Sequence, residues 1–196
     1  MAEKDVSAEI SYWHKKYGAD KDSFDPIVAS GWRGALPHGI ASDKIINSGE
    51  MVTLDFGCIY DGFCSDLTRT ISVGEPSKEM KKIYDTVLKS QLMAIKAAKE
   101  GVSTKEVDKV ARDFINESGY EGKFGHGLGH GLGIEVHEMP SVSQKMDMLL
   151  PANVVVTIEP GIYVEGLGGV RIEDDIIIKQ GGSEIINKAP KELIVI

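Results

Sequence analysis

Two stretches of this 196-residue chain repeat one order of residue types, and that repeat limits the fold more than any other feature. VTLDFGCIYDGFCSDLT, from Val52, and VTIEPGIYVEGLGGVRIED, from Val156, both run β-branched pair, apolar residue, carboxylate, glycine, tyrosine, glycine, carboxylate. Asp55 corresponds to Glu159 and Asp66 to Glu173. Each stretch reads as a β-hairpin, so the chain is expected to build one strand unit twice. Resemblance between two hairpins drawn from a small strand alphabet would be the plain explanation, and the placement of the acids speaks against it.

Asp and Glu are depleted in strands and rarely buried alone. Asp55 nevertheless follows Val-Thr-Leu, and Glu159 follows Val-Val-Val-Thr-Ile. A lone ionised carboxylate there would face a large desolvation cost, so it must be neutralised, paired or bound to a cation. Arg69 and Arg171 could pair with two of Asp55, Asp66, Glu159 and Glu173, leaving at least two uncovered. Two divalent ions would balance all four. An oxygen-rich set with an imidazole suits manganese, cobalt or zinc, and the residues do not rank them.

The imidazole comes from FGHGLGHGLG, Phe124 to Gly133, where five glycines surround His126 and His130. Glycine loses more conformational entropy on folding than other residues, so such a run implies a sharp bend or a close backbone approach. With a period of two, His126, Leu128, His130 and Leu132 would share one face of a strand and the glycines the other. Two histidines four residues apart in an extended strand lie roughly 13 Å apart, too far to ligate one ion. One is therefore expected to bind metal and the other to work elsewhere in the pocket. A helical zinc motif fits poorly, because glycines disfavour helix and the Glu of H-E-x-x-H is missing. His137 falls in the same region, His38 sits in the turn LPHG, and His14 on the first helix reads as an ordinary exposed residue.

Elsewhere the pattern alternates helix and strand. Val6, Ile10, Trp13 and Tyr17 make an apolar stripe over residues 3–17, stopped by Gly18. FDPIVASGWRGALPHGIASD reads as strand and loop. Met51 to Tyr60 and the stretch from DGF through Ile71 predict the first hairpin. Ser77 caps a long helix whose inward stripe is Met80, Ile83, Tyr84, Val87, Leu88, Leu92 and Ile95. STKE, Ser103 to Glu106, is a capping box for another helix with Val107, Val110, Ala111, Phe114 and Ile115 inward and Gly119 as its stop. The remainder is mostly strand, giving a single α+β domain over 1–196.

Composition narrows the partners. The net charge of -8 opposes contact with nucleic acid and with anionic membrane surfaces, and no apolar run has membrane-spanning length. The charged N-terminus lacks the apolar centre of a signal peptide. Cys58 and Cys64 fit neither a redox nor a zinc pattern and read as reduced, buried thiols in a cytoplasmic protein.

Taken together, ALPHG, LDFG, SDLTRT, FGHGLGHGLGIEVHE, TIEPGIY and GGVRIED resemble the catalytic domain of the Xaa-Pro aminopeptidases and prolidases, metallopeptidases of pita-bread fold. The resemblance spans nearly the whole chain. It implies a pseudo-two-fold repeat, with a curved antiparallel sheet covered by helices. It also implies a dinuclear site in which Asp55 binds one metal, His130 and Glu159 bind the other, and Asp66 and Glu173 bridge both. The expected ions are two divalent metals, manganese first, with cobalt or zinc as alternatives. The implied reaction releases the N-terminal residue from a peptide with proline at its second position, through attack of a metal-activated hydroxide on the peptide carbonyl. In that reaction Glu159 shuttles the proton, His137 stabilises the carbonyl oxygen, and His38 and His126 contact substrate. Tyr163 and Arg171 match residues that orient the bridging carboxylates.

His126 separates the chain from methionine aminopeptidases, which share GHGLG and VHE but generally lack a histidine at that place. Dipeptide-specific prolidases tend to carry a basic residue after VHE, where this chain has Ser141. An aminopeptidase is therefore the expected member, with a prolidase as the alternative. Members of the family carry a whole domain and a further helix before this region, so the resemblance implies a catalytic domain truncated at its N-terminus. Exposed apolar surface and self-association into a homodimer follow as expectations. Two other readings stay open: a metal-binding domain left inactive by truncation, and a pita-bread binding module without catalysis, against which the full ligand set argues.

Overall fold

The computed structural model describes all residues, 1–196. The chain runs α1 (Glu3–Lys16), β1 (Lys21–Asp22), β2 (Ile27–Ser30), a 3-10 turn (Gly31–Ala35), β3 (Glu50–Phe56), β4 (Cys58–Tyr60), β5 (Phe63–Cys64), β6 (Leu67–Val73), α2 (Lys78–Ala97) and α3 (Thr104–Ile115). It continues through β7 (Gly129–Gly131), β8 (Glu138–Val142), β9 (Val155–Ile158), β10 (Gly161–Val164), β11 (Gly168–Arg171), β12 (Asp174–Lys179) and β13 (Gly182–Ile185). No helix is long and apolar enough to cross a membrane.

The repeat seen in sequence is a repeat in space. In the first copy, β3 pairs antiparallel with β6 and the small hairpin β4–β5 lies between them in the chain. In the second, β9 pairs antiparallel with β12 and the hairpin β10–β11 lies between. Each copy therefore sets one acid at the end of a strand and another just before its returning partner. The single hairpin expected from Met51 to Ile71 is instead this interrupted unit. The break falls at Gly57, where a Cβ would stand 1.8 Å from the Ser65 carbonyl oxygen, so only glycine admits that backbone contact. β2, β3 and β6 form one sheet, and β13, β12, β9, β7 and β8 form the other.

Helices α2 and α3 cover the apolar side. Ser77 Oγ accepts from the Met80 amide at 3.2 Å, and Ser103 Oγ from the Lys105 amide at 3.2 Å, so both expected caps form. The reciprocal half of the capping box, Glu106 to the Ser103 amide, does not form, and the Ser103 hydroxyl proton goes to Asp147 at 2.6 Å. The core gathers Ile83, Tyr84 and Val87 of α2, Val107, Ala111 and Ile115 of α3, and Val156, Ile158, Ile172, Ile176 and Ile178 of the larger sheet. Leu92 is exposed rather than inward, and Gln91 takes the buried place, donating to Asp174 at 2.7 Å. Val110 and Phe114 are only half-buried. At the far edge of β6 the last residues lie alongside it: Ser72 donates to the Ile194 carbonyl at 2.9 Å, and Ile196 donates to that of Ser72 at 3.0 Å.

Helix α1 packs differently from its stripe. Trp13 and Tyr17 are exposed and stack on each other, with ring centroids 5.6 Å apart. The fully buried residue is Glu3, which accepts from the Ser30 amide and hydroxyl, the Ser42 hydroxyl and Arg33. His14 is not a free surface residue: its Nδ1 lies 2.6 Å from Asp22 Oδ1. Cys58 and Cys64 are unpaired as expected, but half-buried rather than buried.

Candidate metal centre

A cavity of about 510 Å³ opens between the two repeats. Asp55, Asp66, His130, Glu159 and Glu173 all line it, together with His38, His126, His137 and Arg171. Asp66 (Oδ), His130 (ring N) and Glu173 (Oε) each offer an atom within 4.8 Å of the others. Asp55 and Glu159 line the same cavity outside that closest group, with Glu159 Oε1 3.4 Å from His130 Nε2. Tyr163 lies behind the wall.

The glycines around His130 are there for close approach. None of the glycines from Gly125 to Gly133 has a positive φ. A Cβ on Gly129 would meet the Thr157 carbonyl oxygen at 1.9 Å, and one on Gly131 the Met139 carbonyl oxygen at 2.5 Å. The period-two face does not hold. Pairing of β7 is irregular between Gly129 and Gly131, Leu128 packs into the core, and Gly127 and Gly129 line the cavity beside the histidines.

Both inner histidines have a fixed ring orientation. His130 Nδ1 lies 3.0 Å from the Gly131 carbonyl, which can only accept, so the proton sits on Nδ1 and Nε2 presents a lone pair toward Asp66 and Glu159. His126 Nδ1 likewise donates to the Gly127 carbonyl at 2.8 Å, and its Nε2 stands 2.8 Å from the Tyr163 hydroxyl. That hydroxyl accepts from Arg171 Nη1 at 2.9 Å, leaving its own proton for His126. Burial, helped by the Arg171 charge, lowers the His126 pKa to about 4, so the ring is neutral. His38 and His137 are exposed at the rim, with the His137 ring 4.3 Å from that of His130.

The acids are far from balanced. Arg171 donates to Asp55 Oδ2 at 2.5 Å, whereas Arg69 turns away to Asp174 at 2.8 Å. Asp66, Glu159 and Glu173 therefore have no guanidinium or ammonium partner. Burial and then the neighbouring Asp55 charge push Asp66 up to about 9. Burial outweighs Arg171 to lift Glu159 to about 8, and burial with the Asp66 charge holds Glu173 well above the usual carboxylate range. Four buried carboxylate oxygens, Asp55 Oδ1, Asp66 Oδ1, Glu173 Oε1 and Asp175 Oδ1, have no hydrogen-bond partner. Orphaned carboxyl oxygens beside an imidazole lone pair are a donor set for divalent cations, whose charge would replace the protons these acids retain.

Asp175 was not legible as part of this cluster. Its Oδ2 lies 3.4 Å from the Asp66 amide and burial raises its pKa to about 7. The alternation of β12, which puts Asp175 on the face of Glu173, was the available signal.

A duplicated strand unit around a buried acid–histidine cavity defines a metallopeptidase of the pita-bread fold. The chain belongs to the metallopeptidase family M24, whose model matches residues 1–180. It is similar to the solved structure of an Xaa-Pro dipeptidase from Bacillus anthracis, at 52% identity and TM-score 0.99, over 100% of this chain and 55% of that one. A solved X-Pro aminopeptidase from Thermotoga maritima matches at 50% identity and TM-score 0.98, over 100% and 56%. An Xaa-Pro dipeptidase of Pyrococcus horikoshii is 50% identical over 192 residues, 98% of this chain and 55% of the relative. The chain thus spans about half the length of the curated relatives it matches.

Proposed function

We propose that this chain is the catalytic domain of a dinuclear metallo-aminopeptidase that releases the N-terminal residue from peptides with proline at the second position. The observation that carries the reading is the set of orphaned buried carboxylate oxygens beside the free Nε2 of His130. Asp55, Asp66, His130, Glu159 and Glu173 would hold two divalent ions, manganese by preference. When bound, such ions polarise a peptide carbonyl and make water a competent nucleophile at neutral pH.

The chain's own groups supply the rest. Glu159, with Oε1 held by the Thr157 hydroxyl at 3.3 Å, takes the proton from water and delivers it to the leaving nitrogen. His137 at the rim donates to the carbonyl oxygen as charge builds there. His38 and His126 hold the substrate about the scissile bond, His126 after its Nε2 exchanges Tyr163 for the peptide. Phe24, Ile27, Ile40 and Val136 are the apolar lining residues and suit a proline ring. Arg171 is the only Lys or Arg among the lining residues and is already committed to Asp55 and Tyr163, so nothing cationic within this chain waits for a dipeptide's carboxylate. That favours longer peptides. The dipeptidase names of several relatives favour the second reading, a prolidase.

The proposed setting is the cytoplasm, supported by two unpaired thiols, and a homodimer would cover exposed Trp13, Tyr17 and Trp32. Metal-stripped protein reloaded with manganese, cobalt or zinc should cleave Xaa-Pro peptides and spare Met-Ala-Ser. His130→Ala should abolish turnover and reduce the bound metal. Two bound metals without cleavage of any substrate would leave an inactive metal-binding domain, and no metal binding would leave the non-catalytic module.

A further inference from the structure

Helix α3 carries a buried acid–base pair that the proposed chemistry does not use. Asp108 is fully buried and accepts from Arg112 Nε and Nη2, both at 2.8 Å, from Gln144 Nε2 at 2.6 Å and from the Leu128 amide at 3.0 Å. Arg112 spends its other donors on two carbonyls, Phe124 through Nη1 and His126 through Nη2, each at 2.7 Å. Its guanidinium lies 4.2 Å over the Phe124 ring, which meets the His126 ring edge-on at 5.0 Å. The neighbouring pair, Lys109 with Asp113, one residue on and turned toward solvent, is an ordinary solvated one, its side chains 64% and 47% exposed. Asp108 and Arg112 have the same i,i+4 spacing, yet apart from Gln144, in the turn after β8, all their remaining contacts go to the loop that carries His126 and on to Leu128.

From this geometry we infer that Arg112, braced by Asp108, is a positioning residue that sets His126 in the cavity from behind. Carbonyls on either side of the Phe124–His126 turn are held by one rigid fork, and the Leu128 amide is held by the acid that orients the fork. Leu128 then passes the constraint on, because its carbonyl accepts the Glu159 amide at 2.8 Å. Lysine at position 112 keeps the charge but cannot reach two carbonyls and a carboxylate at once. The importance of this placement for turnover rests on the substrate-contacting role proposed above for His126, whereas the placement itself does not.

The test reads both. In metal-free protein with 15N-labelled histidines, the His126 ring signals are identified by their loss in His126→Ala. Arg112→Lys should shift or broaden those signals and leave His14, on α1, unmoved. Asp108→Asn should do the same to a smaller degree and stands in if Arg112→Lys fails to fold. On the manganese-loaded enzyme, Arg112→Lys should lower kcat roughly 10- to 100-fold with metal content unchanged. In the His126→Ala background it should lower kcat by much less than it does alone. Unmoved His126 signals in a folded variant, or losses that simply add in the double variant, overturn the inference. If the signals move while His126→Ala retains full turnover, the positioning stands and the role assigned to His126 fails instead.

Discussion

Thr68 Oγ1 donates to Glu173 Oε2 at 2.7 Å, joining a residue of the first strand repeat to an acid of the second. The same hydroxyl accepts from Arg171 Nε at 3.2 Å, so its proton is directed at the carboxylate and Glu173 Oε1 is left turned toward the cavity. Replacing Thr68 by Val keeps the shape and removes this orientation. Affinity for divalent metal should fall about 10-fold or more, measured by chelator competition. Unchanged affinity would mean that Glu173 needs no such support.

Arg171 is 3% exposed and donates to Asp55, Tyr163, Thr68 and the Pro37 carbonyl. Arg171→Met should cost about 3–5 kcal/mol in urea unfolding of the metal-free protein, because it leaves the largely buried Asp55 carboxylate unpaired. Arg171→Lys should recover little of this, since a single ammonium cannot face four acceptors in different directions.

The raised acids give the metal-free protein a defined pH dependence. Asp175, Glu159 and Asp66, at about 7, 8 and 9, keep protons that the unfolded chain has already released from ordinary carboxyls. The folded state binds more protons, so stability falls as pH rises toward these values. His126 and His130 are shifted down and work the other way, an effect that fades as pH rises past their ordinary value of 6.5. From about pH 7.5 to 9 the acids dominate. Melting temperature in chelator should drop across that range, and saturating manganese should flatten the slope. A rise would contradict the buried-acid account.

Gly129→Ala tests the close approach of β7 to β9. With the new Cβ aimed at a carbonyl oxygen, the backbone must shift, at a cost of roughly 1–3 kcal/mol or more. The shift displaces His130, so metal affinity should fall with stability. Gly125→Ala, where a Cβ would meet nothing within 4 Å, serves as the control.

The carboxylates were legible because strands rarely hold acids, and the repeat was legible because both copies keep the same spacing. What sequence could not reveal was where each side chain turns. Trp13 and Tyr17 have the spacing of an inward stripe, yet Glu3, with five donors waiting for it, takes the buried place on α1. Gln91 displaces Leu92 because Asp174 needs a donor there. Asp108 reads as one more polar helix residue until the loop from Phe124 to Leu128 is folded against it. In each instance a distant polar partner, absent from any local window, decided the outcome.

The strip of chain from Ile194 to Ile196 occupies the outer hydrogen-bonding side of β6, which would otherwise be an open template for another strand. A purification tag joined directly to Ile196 would pull on that cover, and its loss would invite sticking between molecules at the Ser72 end of β6, the end away from Asp66. Preparations meant for metal titration are better served by a spacer at that end, so that clumping is not mistaken for a response to the ion.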